Sequence, residues 1–182
     1  MNTSNPSDIP VDAPPADRIA AAVKRWGEDE VVARSIALMA GRNAGDDVLL
    51  YVGGVHAQGI LDGAPALYWP EVWGARALTF VWNDNAVTAI TAGLTNQAWR
   101  VREMSLRVAT LRKLDVADVV RPLLKDEVAR VRSGAARALG ELGDLSDTDP
   151  IGALFGDEEV EVRRAADQAR KRLTARFPAA KE

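Results

Sequence analysis

Cysteine is absent from the 182 residues, which removes disulfides, thiolate nucleophiles and cysteine metal sites together. One histidine, His56, stands between Val55 and Ala57, so a histidine-based metal cage is excluded and the side chain reads as an ordinary surface or partly buried one. No metal and no cofactor are expected. Nowhere does an apolar run approach the length that spans a bilayer, no lipidation pattern is present, and Met1 to Ala16 lack the basic start and apolar core of a secretory signal. Those sixteen residues hold four of the nine prolines and read as a disordered tail. The expected setting is the cytoplasm, away from membranes. Strong basicity is missing too: the formal charge is −3, far from that of a general nucleic-acid binder.

What is present is a globular composition, 47% hydrophobic and 27% charged, and a text that repeats. The unit is clearest from Leu124 to Asp144. Its Val131-Arg132 matches Val101-Arg102 earlier and Val162-Arg163 later, with Pro70-Glu71 in the same register one period before Val101. A near-constant period of about 30 residues is the mark of a helical solenoid. In the second half of the unit Val128, Val131, Ala135, Ala138, Leu139 and Leu142 share one helix face. Matching faces occur at Val101, Met104, Ser105, Val108 and Leu111, at Val162, Ala166, Ala169 and Leu173, and more loosely at Gly74, Ala77, Leu78 and Val81. Their many small residues allow helix axes to approach closely. The first half is a shorter helix, with Val87, Ile90 and Leu94 aligned to Ala117, Val120 and Leu124 and to Thr148, Ile151 and Phe155. Asp115 and Asp149 are expected N-caps, Gly143 a left-handed C-cap, and Pro122 a bend.

The unit resembles a HEAT repeat of the bilin-lyase type. The residues that carry the resemblance are Asp126, Val131-Arg132, Ala135-Ala136 and Ala138-Leu139, then Asp157 and Val162-Arg163, with Asn96 and Val101-Arg102 before them. It covers about residues 64 to 176 and departs in the first unit, where Pro70-Glu71 replaces Val-Arg. The expected fold is all-α: a right-handed α-solenoid of HEAT-like helical hairpins behind an N-terminal helical cap. The expected organisation is a tail at 1–16, a cap at 17–63 with a helix broken near Gly53-Gly54, repeats at 64–176 and a short tail at 177–182. Inner helices are expected near 70–82, 98–113, 127–142 and 158–176. The resemblance further implies that the inter-helix Asp and the Arg six positions later form a structural ladder between units, and that the second helices line a concave surface.

Arginine recurs in a second set of places. Arg76, Arg107 and Arg137 are equivalent positions completed by Gln168, and Arg100 and Arg130 form a column headed by Trp69. Stacked hairpins would bring such residues into lines about 10 Å apart. By helical angle Trp99 falls with Glu103, Leu106 and Arg107 away from the apolar stripe, whereas Trp73 falls on the core side. The expected binding residues are therefore Trp69, Arg76, Trp99, Arg100, Glu103, Arg107, Arg130 and Arg137, with no catalytic residue. Charge is uneven: residues 1–95 carry 6 basic and 11 acidic side chains, and residues 96–182 carry 17 and 15. The 18 arginines against 5 lysines and the high alanine content suit a GC-rich bacterial source.

The expected function is a non-catalytic interaction module that holds an acidic or extended protein segment on the concave face. The partner is expected to be another protein rather than nucleic acid. The alternative is an enzyme: alkylpurine DNA glycosylases have a similar HEAT-like architecture, and that resemblance implies Trp, Arg and an acidic residue around a damaged base. Trp99-Arg100-Val101-Arg102 is the nearest match, with Glu103 as the inner-helix carboxylate.

Overall fold

The computed structural model describes residues 9–178, and the first eight residues of the expected tail lie outside them, as do residues 179–182. Every regular element among the described residues is helical. The chain divides into two compact units, Met1–Ile90 and Thr91–Glu182, with the boundary inside one short helix.

Unit 1 contains α1 (Pro15–Trp26), α2 (Glu28–Met39), α3 (Asp46–Gly53), α4 (Val55–Leu61) and α5 (Trp69–Ala77). Helix α1 starts at Pro15, inside the segment expected to be a tail, and Ile9 ahead of it is buried. The expected break after Gly53 is present. Gly54 separates α3 from α4 with φ +63° and ψ −143°, a conformation that glycine tolerates because it lacks a Cβ. Helix α2 buries Val31, Val32, Ser35 and Leu38, while Ile36 and Met39 are only half-buried. The stripe turns this way because α2 crosses α5 closely: a side chain built on Gly74 would lie 2.7 Å from the Ser35 carbonyl oxygen.

The short helix α6 (Val87–Gly93) crosses the boundary. Unit 2 then runs through α7 (Trp99–Arg112), α8 (Ala117–Val120), α9 (Ala129–Leu142), α10 (Thr148–Gly152) and α11 (Val160–Arg176). Long helices alternate with short ones, as hairpin repeats require. Helix α8 passes into a 3₁₀ segment, Arg121–Lys125, at Pro122, where the missing amide donor was expected to bend the chain. Another 3₁₀ segment, Ala153–Gly156, follows α10. Its three-residue turn places Leu154 rather than the expected Phe155 in the core below Ile151.

Helix α9 packs on both α7 and α11, so its buried residues are small: Ala135, Ala136, Ala138 and Gly140 accompany Val131 and Leu139. A helix with neighbours on several sides buries more than one stripe. For that reason Leu106, expected on the outward side of α7, is 1% exposed and packs against Gly134, while Leu111 of the expected core face is open to solvent.

Two capping expectations are corrected. Gly143 is extended, with φ −78°, and not left-handed; glycine is needed there because a Cβ would collide with the Asp147 carboxylate and the Leu139 carbonyl. Neither Asp115 nor Asp149 is an N-cap: Val116 precedes α8, and Asp149 lies within α10. Asp144 and Asp147 instead form a reciprocal capping box around the 3₁₀ turn before α10, satisfying backbone donors at both ends of the box.

One buried position departs from its equivalents. Ser105 is fully buried and its hydroxyl has no hydrogen-bond partner among the described residues, whereas Ala135 and Ala166 occupy the same place in the following repeats. An unsatisfied buried hydroxyl is unfavourable. Ser105→Ala is expected to raise unfolding stability by about 1 kcal/mol, measured by urea denaturation; a loss of stability would contradict this account.

Candidate interaction face

The inter-helix turns of unit 2 are tied by arginines. Arg102 donates from Nε and Nη2 to the two oxygens of Asp126 at 2.7 and 2.9 Å, and from Nη1 to the carbonyls of Asn96 and Gln97 at 2.9 Å. Arg132 repeats the pattern one unit on, with Asp157 at 2.8 and 3.0 Å and the carbonyls of Asp126 and Glu127. Arg163 holds the carbonyls of Asp157 and Glu158. Each arginine thus closes its own turn, and Arg102 and Arg132 also grip the acidic residue of the next. The carboxylates also order the backbone, because Asp126 and Asp157 accept from the amides of Val128 and Glu159 and so fix the entry to the following helix. This is the ladder that the repeat resemblance implied.

The hydrogen bonds from Arg132 hold the Asp157 carboxyl below the usual aspartate range, and Asp157 in turn raises Arg132. A lowered native pKa means that the unfolded chain takes up the proton first as pH falls. The contribution of this pair is therefore complete above the ordinary aspartate pKa of about 4 and is lost as pH falls through the native value. Acid unfolding of Asp157→Asn is expected to be less steep below about pH 4 than that of the wild type. Parallel curves would show that the pair does not govern acid stability.

A further bridge was not legible as such. Arg121 donates to buried Asp147 at 2.6 Å and also pairs with Asp118 and Asp144, and the bond to Asp147 raises Arg121 above its ordinary value. The Asp144-Leu-Ser-Asp147 box carries a capping signal in the sequence, but no spacing rule connects it with Arg121.

The expected binding residues divide between the units. Helix α7 begins at Trp99, so Trp99, Arg100, Glu103 and Arg107 lie along one side over two turns. The Arg100 guanidinium lies 4.3 Å from the centroid of the half-buried Trp99 ring, and Arg130 of α9 approaches it at 5.8 Å. Arg130 is oriented by Glu103, donating to its Oε1 at 2.9 Å. Cations over an indole face are attracted by its quadrupole, so Trp99, Arg100, Glu103 and Arg130 form one amphipathic platform spanning two successive repeats. Arg107 is exposed, with no ion-pair or hydrogen-bond partner among the described residues. Arg137 is also exposed but shares its charge with Glu161 at 3.3 Å.

The other two residues belong inside unit 1. Arg76 donates to the Val52 carbonyl at 2.7 Å, and buried Arg18 donates to the carbonyls of Tyr51, Val52 and Ala13. Together they satisfy acceptors at the C-terminal end of α3, the negative end of its dipole. Burial lowers both guanidiniums, and the Arg18 charge lowers Arg76 further. Arg76 is thus engaged by the broken helix, which equivalence to Arg107 could not reveal. Trp69 stacks on core Trp73, with centroids 6.1 Å apart, and contacts Tyr68. His56 is exposed, and among the described residues no group of three or more His, Cys, Asp or Glu side chains could hold a metal ion.

Stacked helical hairpins bound through their turns by an arginine–aspartate ladder define a helical-repeat protein. Residues 87–169 match the family model for HEAT repeats, and that segment is an array of HEAT repeats. No curated protein matches it. No helix among the described residues is long and apolar enough to cross a membrane.

Proposed function

We propose that the chain is a non-catalytic scaffold that holds an acidic or extended segment of a partner protein on the concave, inner-helix face of its HEAT repeats. HEAT repeats generally mediate protein–protein scaffolding, and extended surfaces are what stacked repeats offer. The observation that carries the reading is the Trp99 platform: an indole flanked by Arg100 and Arg130, with the unpartnered Arg107 two turns along the same helix. The aromatic ring supplies apolar area, and the arginines supply charge-assisted donors for carboxylates. Glu103 is engaged with Arg130, which suits a role in orienting that arginine better than the role of a catalytic carboxylate. A cytoplasmic setting belongs to the same reading.

The test compares wild type, Trp99→Ala and Arg107→Glu/Arg137→Glu as baits in nuclease-treated source lysate, each variant first shown to be folded. A protein retained by wild type is expected to bind Trp99→Ala at least about tenfold more weakly and to be lost from the double variant. Equal retention by all three baits, or capture of nuclease-sensitive material alone, would remove this face from consideration.

A further inference from the structure

We propose that unit 1 carries a second, separate recognition site: a cleft that receives a lysine side chain of a partner protein, with Glu71 as its counter-charge. The site lies outside the HEAT segment and does not depend on the Trp99 platform. Because α2 packs along α5, the chain leaving α2 and the chain entering α5 come together at one end of the unit. They enclose a cleft of about 340 Å³, the lower end of the range for ligand sites. Leu38, Leu49 and Ile60 supply apolar wall, and Leu61 and Leu67 form an exposed rim, 37% and 69% accessible.

The polar feature of that cleft is Glu71, in the first turn of α5. Its Oε2 is sealed from solvent and accepts no hydrogen bond; no other carboxylate oxygen among the described residues is in that condition. A carboxylate with one oxygen cut off from water and given no donor is costly to keep charged, and a cation at its other oxygen offsets that charge. Nearby bases do not supply it. Arg18 and Arg76 are turned onto backbone carbonyls, Arg25 and Arg34 flank Trp26 and pair with Asp47, and no ion pair links Arg42 to Glu71 although both line the cleft. The remaining charged lining residue is Asp46, which adds to the negative potential.

Lysine is favoured over arginine by the geometry of the carboxylate. A guanidinium fork matches both oxygens of a carboxylate, but here Oε2 is sealed and a ligand in the cleft can meet Oε1 alone. An ammonium is a point charge that needs one oxygen, and its four-carbon stem suits the Leu49 and Ile60 wall. The exposed Leu61 and Leu67 then meet the apolar surroundings of that lysine on the partner.

Nuclear magnetic resonance titration of the full chain with acetyl-Gly-Lys-Gly-amide tests this directly. Norleucine and arginine replace lysine in two matched peptides, and each peptide is also titrated into Glu71→Gln, which keeps the side-chain size. The lysine peptide is expected to shift the signals of Gly41, Leu61 and Leu67 and to bind about tenfold more tightly than either analogue, an advantage that Glu71→Gln abolishes. Equal binding of the three peptides to the wild type would overturn the proposal without reference to the variant. So would shifts confined to other residues, or a lysine preference that survives in folded Glu71→Gln.

Discussion

Asp126→Ala is expected to destabilise unit 2 by about 3 kcal/mol, because it removes one partner of a shielded pair and leaves the other behind. The Arg102 side chain is 11% exposed and that of Asp126 6%, so solvent cannot replace the lost carboxylate around most of the guanidinium. Two losses coincide. Arg102 keeps its bonds to the Asn96 and Gln97 carbonyls but forfeits both carboxylate contacts, and the Val128 amide loses its acceptor at the start of α9. Hydrogen exchange at the amides of α7 and α9 reads the effect locally, which matters in a chain with two compact units. Arg130→Ala is the contrast: that pair is well exposed and is expected to contribute under about 1 kcal/mol. If the two substitutions cost the same, the ladder is not a principal support of the stack.

Gly140→Val is the second large effect, also about 3 kcal/mol, and its origin is steric. Glycine here brings α9 against α11 so closely that a Cβ would lie 2.9 Å from the Cα of Ala169 and 3.0 Å from its Cβ. The obstacle is backbone, which cannot rotate away as a long side chain can. The helices must separate, and the dispersion contacts of Ala165, Ala166 and Ala169 against α9 weaken together. Gly152→Ala is the matched control. A Cβ there meets nothing within 4 Å, so the substitution is expected to leave stability unchanged or raise it by about 0.5 kcal/mol through helix propensity. Thermal unfolding of the two variants separates the cases; a tolerated valine at Gly140 would show that the stack can spread without loss.

Much of unit 2 was legible because its information is periodic. A Val-Arg pair that returns every 30 or 31 residues places its helices in register, and an acidic residue six positions before the arginine at Asp126 and Asp157 marks the turn that the ladder ties. The first unit was harder to read for the converse reason. Where Pro70-Glu71 stands for Val-Arg there is no arginine to close the turn, and Glu71 is left without a partner in a cleft. Periodicity also misled where backbone geometry changed: the 3₁₀ segment after α10 moved the core position from Phe155 to Leu154, and Gly143 serves the Asp147 carboxylate instead of a left-handed turn.

The candidate face shows the same division. Local sequence placed Trp99, Arg100, Glu103 and Arg107 on one side of a helix, since helical spacing is set by the backbone and needs no knowledge of neighbours. Packing then assigned the candidate arginines of the two columns to different partners. Arg76 is taken by a carbonyl 24 residues away, Arg130 by Glu103 27 residues away and Arg137 by Glu161 24 residues away, while Arg107 stays open. The helical repeat follows from the amino-acid order alone, because it is written in spacing that recurs. The ladder was implied by the repeat resemblance, and its Arg102–Asp126 and Arg132–Asp157 bonds, 24 and 25 residues apart, are made by the stacking of one turn on the next. The free charges, the paired charges and the unpartnered Glu71 emerge in the folded chain and not before, because a side chain's partner is chosen by packing between residues that the linear order keeps apart.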